Sequence, residues 1–310
     1  MKIAMMGSGG VGGFFGGRLA QAGYDVHFIA RGAHYAAMRD HGLLIENKAQ
    51  GDIVLPKVQV TDDPATLGAV DLVIFSVKLW DTEAAARSIL PLIGPDTGIL
   101  SLQNGVIKDD ILRSVFGDTA VMGGVGYLAT TVTRPGVIGQ TGTMQRIVLG
   151  EYNGRESARA RFLHEALLRA GVNAELSADV RKSIWEKYVF LVGLSGATTT
   201  MRVPLGPIRR NPQSRAFLLQ LMREVVAVGR AHGVDLPEDF ADDRLAFAES
   251  LPETMTSSMH HDLDRNNPLE VNWLSGGVVQ LGRVKGVPTP ANSAVCDILA
   301  VHAAGTKENR

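Results

Sequence analysis

The stretch Ile3-Ala4-Met5-Met6-Gly7-Ser8-Gly9-Gly10-Val11-Gly12 decides how this chain is read. Four apolar residues run without a break, as in a strand covered on both faces. Gly7, Gly9 and Gly12 then satisfy the spacing G-x-G-x-x-G. Residues 10–22 follow a helical pattern, and Gly23 stands just past its end, where a left-handed cap commonly sits. Strand, glycine turn and helix follow one another directly, which is the context the motif requires. Each glycine then has a physical task. Gly7 permits the tight turn, Gly9 lets main chain approach a pyrophosphate, and Gly12 lets helix and strand pack closely. The unpaired N–H groups of the helix's first turn form a seat for the anion. Ser8, Gly10 and Val11 complete the candidate dinucleotide contacts. A second cluster, Gly123-Gly124-Val125-Gly126, follows a strand but opens no evident helix, so it is not read as a phosphate loop.

The next strand, 25–30, runs into Ala30-Arg31-Gly32. A site for NAD places a carboxylate at this strand end to hold the ribose 2′-hydroxyl. A guanidinium stands here instead, and it suits a 2′-phosphate, so NADP(H) is the expected cofactor. Further apolar runs at 71–77 and 98–102 alternate with a helical pattern at 82–92. Strands alternating with helices predict a doubly wound parallel sheet of the Rossmann type. Around 136–149 the pattern changes to one that suggests an antiparallel hairpin. From about residue 179 the strand signals stop. Residues 183–194 read as a buried helix, and 212–232, 239–251, 270–283 and 291–304 as further helices. The expected fold class is therefore an α/β Rossmann domain, residues 1–178, followed by an all-α C-terminal domain, residues 179–310.

Bulk properties narrow the partners. Lys and Arg number 31 against 32 Asp and Glu, so no net field favours nucleic acid or a membrane surface. No stretch reaches the roughly 18 apolar residues of a membrane span, and glycines interrupt the apolar start before it can form a signal region. Cys296 is the one cysteine, which rules out an internal disulfide and fits a cytoplasmic setting. The apolar C-terminal segments 271–281 and 295–301 have two readings, a pairing surface in a homodimer or one domain's core. No metal is expected. His260-His261-Asp262 are adjacent, and neighbours on a helix do not share a face, so the cluster reads as a solvated helix face.

Other markers follow in order: Ser76-Val77-Lys78 and Gln103-Asn104-Gly105 at strand ends, Trp185-Glu186-Lys187 opening the helical half, Thr256-Ser257-Ser258-Met259, then Glu270, and Gly286-Val287-Pro288-Thr289-Pro290 before the last helix. With the glycine loop and Arg31, this ordered set resembles the ketopantoate reductase family over most of the chain. The resemblance implies an active site in the cleft between a Rossmann and a helical domain. It implies NADPH-dependent reduction of a 2-oxo acid to a 2-hydroxy acid, with 2-dehydropantoate as substrate and a place in pantothenate biosynthesis. Lys187 matches the catalytic lysine, and its position beside the apolar run 188–192 would favour release of its proton. Asn104 and Glu270 complete the implied catalytic set and also stand on the cofactor side. Lys78 and Ala129 match further cofactor contacts, and Ser258 matches a serine that binds the substrate carboxylate. On local pattern alone Ser258 reads equally as a helix N-cap, and Glu270 as a helix N-terminal charge.

The family pattern also breaks. Its asparagines one and two turns after the lysine are Leu191 and Ser195 here, on the same helix face as Lys187. Another is Leu205, and the usual Asp and Asn after Glu270 are Asn272 and Ser275. A wall without those amides cannot select a hydroxyl strongly, which points to a more apolar 2-oxo acid as an alternative substrate. Two other classes compete: an NADP-dependent dehydrogenase of 3-hydroxy acids or opines, and a non-catalytic NADPH sensor. The order Lys187, Ser258, Glu270 argues against the first, and retention of Lys187 and Asn104 against the second.

Overall fold

The computed structural model describes residues 1–306. The chain divides into two compact units. The first comprises Met1–Gln103 and Lys108–Ser183, the second Asn104–Ile107 and the chain from Ile184 onward. The sequence reading placed one boundary after residue 178. The structure carries the first unit to Ser183 and gives a four-residue excursion, with Asn104 at its head, to the second.

In the first unit the strands are β1 (Lys2–Met6), β2 (Asp25–Ile29), β3 (Leu43–Glu46), β4 (Ile53–Leu55), β5 (Gln59–Thr61), β6 (Val70–Phe75), β7 (Ile93–Ser101), β8 (Val121–Arg134), β9 (Val137–Gly150) and β10 (Asn173–Leu176). Its helices are α1 (Gly10–Gln21), α2 (Gly32–His41), α3 (Thr82–Ser88), α4 (Lys108–Phe116) and α5 (Ala158–Arg169). The sheet order is β4-β3-β9-β8-β7-β6-β1-β2-β5, with β10 beside β9. The strands from β5 through β8 pair in parallel. The expected hairpin is β8–β9, and it is longer than its sequence signal. With antiparallel β3–β4 it makes the sheet mixed rather than wholly parallel. The glycines at 123–126 lie inside β8, in extended chain, and form no phosphate loop.

The unbroken apolar character of β1 has a direct cause. Ile3 and Met5 face a core shared with Phe14, Phe15 and Leu19 of α1, whereas Ala4 and Met6 face a second core with Ala85, Ala86 and Leu112. β6 divides in the same way, Leu72 and Ile74 against Val73 and Phe75. A strand buried on both faces has no polar position to spare.

The second unit is helical: α6 (Val180–Met201), which begins in the first unit, then α7 (Leu205–Arg210), α8 (Pro212–Ala231), α9 (Phe240–Ser250), α10 (Ser258–Asp264), α11 (Ser275–Lys285) and α12 (Pro290–Leu299). α6 is central. Trp185, Tyr188, Val189 and Val192 pack with Leu221, Met222 and Val225 of α8, Val278 of α11 and Val295 of α12. Most apolar residues of the last two helices are thus used in this unit's own core, while Val284, Ile298 and Val301 are exposed. The helix expected over 270–283 is broken. Glu270–Asn272 is a 3₁₀ turn and α11 starts only at Ser275. The break coincides with Trp273 and Leu274, whose carbonyls both accept the Tyr188 hydroxyl. Among the described residues no helix is long and apolar enough to cross a membrane.

One buried charge in the first unit has a complete set of partners. Lys108 is 1% exposed. Its Nζ donates to the Ser101 carbonyl at 3.0 Å and to both Asp109 oxygens at 2.9 and 3.0 Å. Tyr152 donates its hydroxyl to the same carboxylate at 2.5 Å. Burial pushes the Lys108 ammonium below its usual pKa, and Asp109 opposes that shift. Removing the carboxylate would strand a buried cation. Asp109→Ala should therefore cost about 3–5 kcal/mol, read as a lower urea midpoint at unchanged slope. A loss under about 1 kcal/mol would show that the pair is not holding this corner.

Candidate functional site

The glycine turn forms as its spacing requires. Gly7 has φ +91°, a backbone region open to glycine at little cost. A Cβ on Gly12 would stand 2.0 Å from the Gly7 carbonyl oxygen and 2.3 Å from Ser76 Oγ, so only glycine lets α1 leave β1 this closely. Gly9 differs, since a Cβ there would meet nothing within 4 Å. It is also the N-cap of α1, with no side-chain cap and no acidic residue in the first turn. The helix N-terminus thus keeps its N–H groups and positive end for an outside anion. These residues fit a dinucleotide pyrophosphate.

Long-range contacts hold this loop in place. Ser76 Oγ donates to the Gly7 carbonyl at 2.7 Å. Ser8 is buried, and its Oγ donates to the Ile29 carbonyl at 3.0 Å, which fastens the loop to β2. Ala129 sits where the β8–β9 register slips. The next carbonyl, on Thr130, would lie 2.8 Å from a Cβ on Gly10. Lys78 is exposed, its ammonium 5.5 Å above the Trp80 ring. Arg31 is the exposed N-cap of α2, and its Nη2 donates to Asp81 at 3.0 Å. The sequence reading missed Asp81, which holds the guanidinium in an exposed pair worth no more than about 1 kcal/mol.

Within the second unit three of the expected site residues come together. Lys187 Nζ donates to Asn104 Oδ1 at 3.2 Å, and Asn104 Nδ2 donates to Glu270 Oε2 at 3.4 Å. The amide can face only one way here, because an ammonium can only donate and a carboxylate can only accept. Lys187 is half-buried and Glu270 is 6% exposed. Asn104 is carried here because Val106 packs on the helical core and Ile107 lies against Gly277. Glu270 is placed by the 3₁₀ turn ahead of α11. Tyr188, unforeseen in the sequence, donates to the Leu274 carbonyl at 2.6 Å and so ties α6, beside Lys187, to the segment following Glu270. Its burial and its two carbonyl partners mark it as a positioning residue; in the sequence its only signal was an aromatic residue next to Lys187.

Other expected residues stand apart from this hydrogen-bonded group. Leu191, one turn after Lys187, is half-buried and apolar. Ser195 is 0% exposed, with its Oγ unpartnered, and Leu205 is likewise wholly buried in the apolar core. Ser258 is exposed in the first turn of α10, and the cap of that helix is Ser257, whose side chain accepts from the His260 N–H. The solvated face expected for 260–262 needs correcting at His260. Its ring is buried and its Nδ1 lies 2.8 Å from the Thr198 carbonyl, because α10 packs that side against α6. No group of three or more His, Cys, Asp or Glu among the described residues could hold a metal.

The family model described as Ketopantoate reductase PanE/ApbA matches residues 3–154, and its C-terminal counterpart matches residues 179–303. A 2-dehydropantoate 2-reductase of Mesorhizobium japonicum is 32% identical, over 95% of this chain and 95% of its own. The chain belongs to the ketopantoate reductase family. The crystal structure of a PanE/ApbA family ketopantoate reductase from Ralstonia eutropha JMP134 superposes with TM-score 0.88 at 34% identity, over 98% of both chains. A D-mandelate dehydrogenase in complex with NADH superposes at TM-score 0.86 and 25% identity, over 97% of this chain and 98% of its own. This ketopantoate reductase family member is accordingly an oxidoreductase with a Rossmann-type unit and a helical unit.

The two glycine environments predict opposite outcomes. Gly12→Ala should destabilise the protein by at least about 1–3 kcal/mol, through a clash with backbone. Gly9→Ala should cost at most about 1 kcal/mol of stability as a lost cap preference, yet weaken dinucleotide binding about tenfold or more. Thermal melts and fluorescence titration with NADPH separate the two. Equal melting losses in both variants would contradict the assignment of Gly9 to the ligand.

Proposed function

We propose that this protein reduces a 2-oxo acid to the 2-hydroxy acid with NADPH, with 2-dehydropantoate as substrate. The observation that carries this reading is the chain from Lys187 through Asn104 to Glu270. The nicotinamide cofactor, when bound, supplies the hydride to the carbonyl carbon. As charge builds on the carbonyl oxygen, Lys187 gives a proton from Nζ, and the product is the hydroxy acid. Asn104 Oδ1 fixes where that ammonium stands. Glu270 holds the amide Nδ2, so that Oδ1 and not Nδ2 faces the lysine. Its negative charge also offsets the cost of keeping an ammonium half-buried. Gly7, Ser8, Gly9, Gly10, Val11 and Gly12 hold the pyrophosphate. Arg31 takes the 2′-phosphate, since its pair with Asp81 uses one of five guanidinium donors.

A second reading is supported by Leu191. An apolar side chain stands one turn after Lys187, where a hydroxyl-selecting amide would be expected, so a more apolar 2-oxo acid fits that wall. The similarity to a D-mandelate dehydrogenase points the same way. Ser195 and Ser258 stay in this proposal only as secondary substrate contacts, Ser195 because it is fully buried.

The test follows NADPH oxidation with 2-dehydropantoate beside phenylglyoxylate and branched aliphatic 2-oxo acids, with NADH as control. The reading expects turnover of at least one of them, a preference for NADPH, and a Lys187→Ala variant that binds NADPH normally while losing about 10²–10⁴-fold in kcat. Preference for an aryl or branched acid would select the second reading. A Lys187→Ala variant with unchanged turnover would remove the proposed mechanism.

A further inference from the structure

His34 lies outside the lysine chemistry, yet it grips the dinucleotide loop. It is on α2, three residues after Arg31. The Gly136 N–H, in the turn between β8 and β9, donates to His34 Nδ1 at 3.0 Å. That nitrogen must therefore carry a lone pair, so the ring proton is on Nε2. Nε2 lies 2.8 Å from the Ser8 carbonyl oxygen and donates to it. One neutral tautomer thus joins three segments: the glycine loop, α2 and the hairpin turn. The bond to Ser8 has a directional consequence. In a trans peptide, carbonyl and N–H point opposite ways. Turning the Ser8 carbonyl toward His34 therefore turns the Gly9 N–H away from it, on the residue whose surroundings are open.

We propose that neutral His34 is a positioning residue for cofactor binding, which ties the Ser8–Gly9 peptide to the hairpin turn so that the Gly9 N–H faces the pyrophosphate, and that protonation, by breaking the Gly136 contact, unseats the ring that anchors this peptide while Nε2 still donates to Ser8. The inference rests on the dinucleotide reading given above. An imidazolium would set an Nδ1–H against the Gly136 N–H, two donors with no acceptor, so the hairpin contact must break. Burial already holds His34 below the usual histidine pKa, with the Ser8 carbonyl bond opposing. Arg31 at the start of the same helix is paired with Asp81, Arg39 and Asp40 further along it pair with each other, and Arg134 on the hairpin pairs with Glu46. The sign follows. The neutral ring is the binding form, so affinity is constant above about pH 6.5 and falls as pH drops through the lowered pKa of His34.

The experiment is fluorescence titration of the full chain with NADPH and with NADH from pH 5 to 8. NADH lacks the 2′-phosphate, so an acid limb common to both cofactors excludes titration of that group. His34→Gln keeps an N–H for the Ser8 carbonyl and cannot ionise. It should bind within about threefold of the parent at pH 8 and lose the acid limb. His34→Leu should bind both cofactors about tenfold more weakly at every pH. Should His34→Leu fail to fold, the limb in His34→Gln decides alone. An acid limb retained in His34→Gln, or parental affinity in a folded His34→Leu, overturns the proposal while leaving the dinucleotide site standing. A parent chain that binds neither cofactor removes the dinucleotide reading and this inference with it.

Discussion

An amide between an ammonium and a carboxylate has one orientation, and the chemistry proposed for the helical unit hangs on it. Asn104 accepts from Lys187 and donates to Glu270, and reversing the amide would set two donors and two acceptors against each other. Three separate segments meet at that amide. The central helix α6 brings Lys187, the interrupted start of α11 brings Glu270, and a four-residue excursion out of the Rossmann-type unit brings Asn104. Tyr188 stabilises the meeting by occupying two carbonyls at the helix break. The local irregularity ahead of α11 coincides with these two acceptors. The Leu274 carbonyl serves both, accepting the Val278 N–H of α11 at 3.2 Å and the Tyr188 hydroxyl at 2.6 Å through its two lone pairs.

The glycine loop after β1 follows a different logic. Its order comes from exclusion and long-range tethering. Gly12 exists because backbone and a serine hydroxyl occupy the space of a side chain, while Gly9 faces open space that nothing in the free protein uses. Ser76 and His34 then fix the successive carbonyls of Gly7 and Ser8, while the Ser8 hydroxyl ties the loop to the Ile29 carbonyl of β2. Each carbonyl held inward leaves the following N–H turned outward, so the loop is arranged for an anion before one arrives. Such arrangement reduces the ordering cost of binding.

What could be read from the sequence, and what could not, divides along chain distance. The strand, glycine turn and helix at the start are local, and their residues carry the signal themselves. The two-faced burial of β1 and β6 was legible as unbroken apolar runs. Asp81 beside Arg31 and Gly136 beside His34 were not legible, because their partners are 50 and 102 residues away. Nor was the transfer of Asn104 to the helical unit, which depends on where Val106 and Ile107 find apolar cover. The antiparallel additions to the sheet were half legible, since the hairpin had a pattern but the short β3 and β4 did not. Ser195 and Leu205 show a further limit. Helical spacing placed Ser195 on the lysine's face, but spacing alone does not reveal that the core closes over both positions.

The account stands on Glu270 acting through Asn104, and a double-mutant cycle measures that directly. The values needed are kcat/KM for the parent, Asn104→Ala, Glu270→Gln and the double variant, with whichever 2-oxo acid is turned over. If the three residues act as a unit, the double variant loses little more than Asn104→Ala alone, and the coupling exceeds about 1 kcal/mol. If the two losses simply add, Glu270 does not work through the amide, and the chain Lys187–Asn104–Glu270 is a packing arrangement without the proposed chemical role.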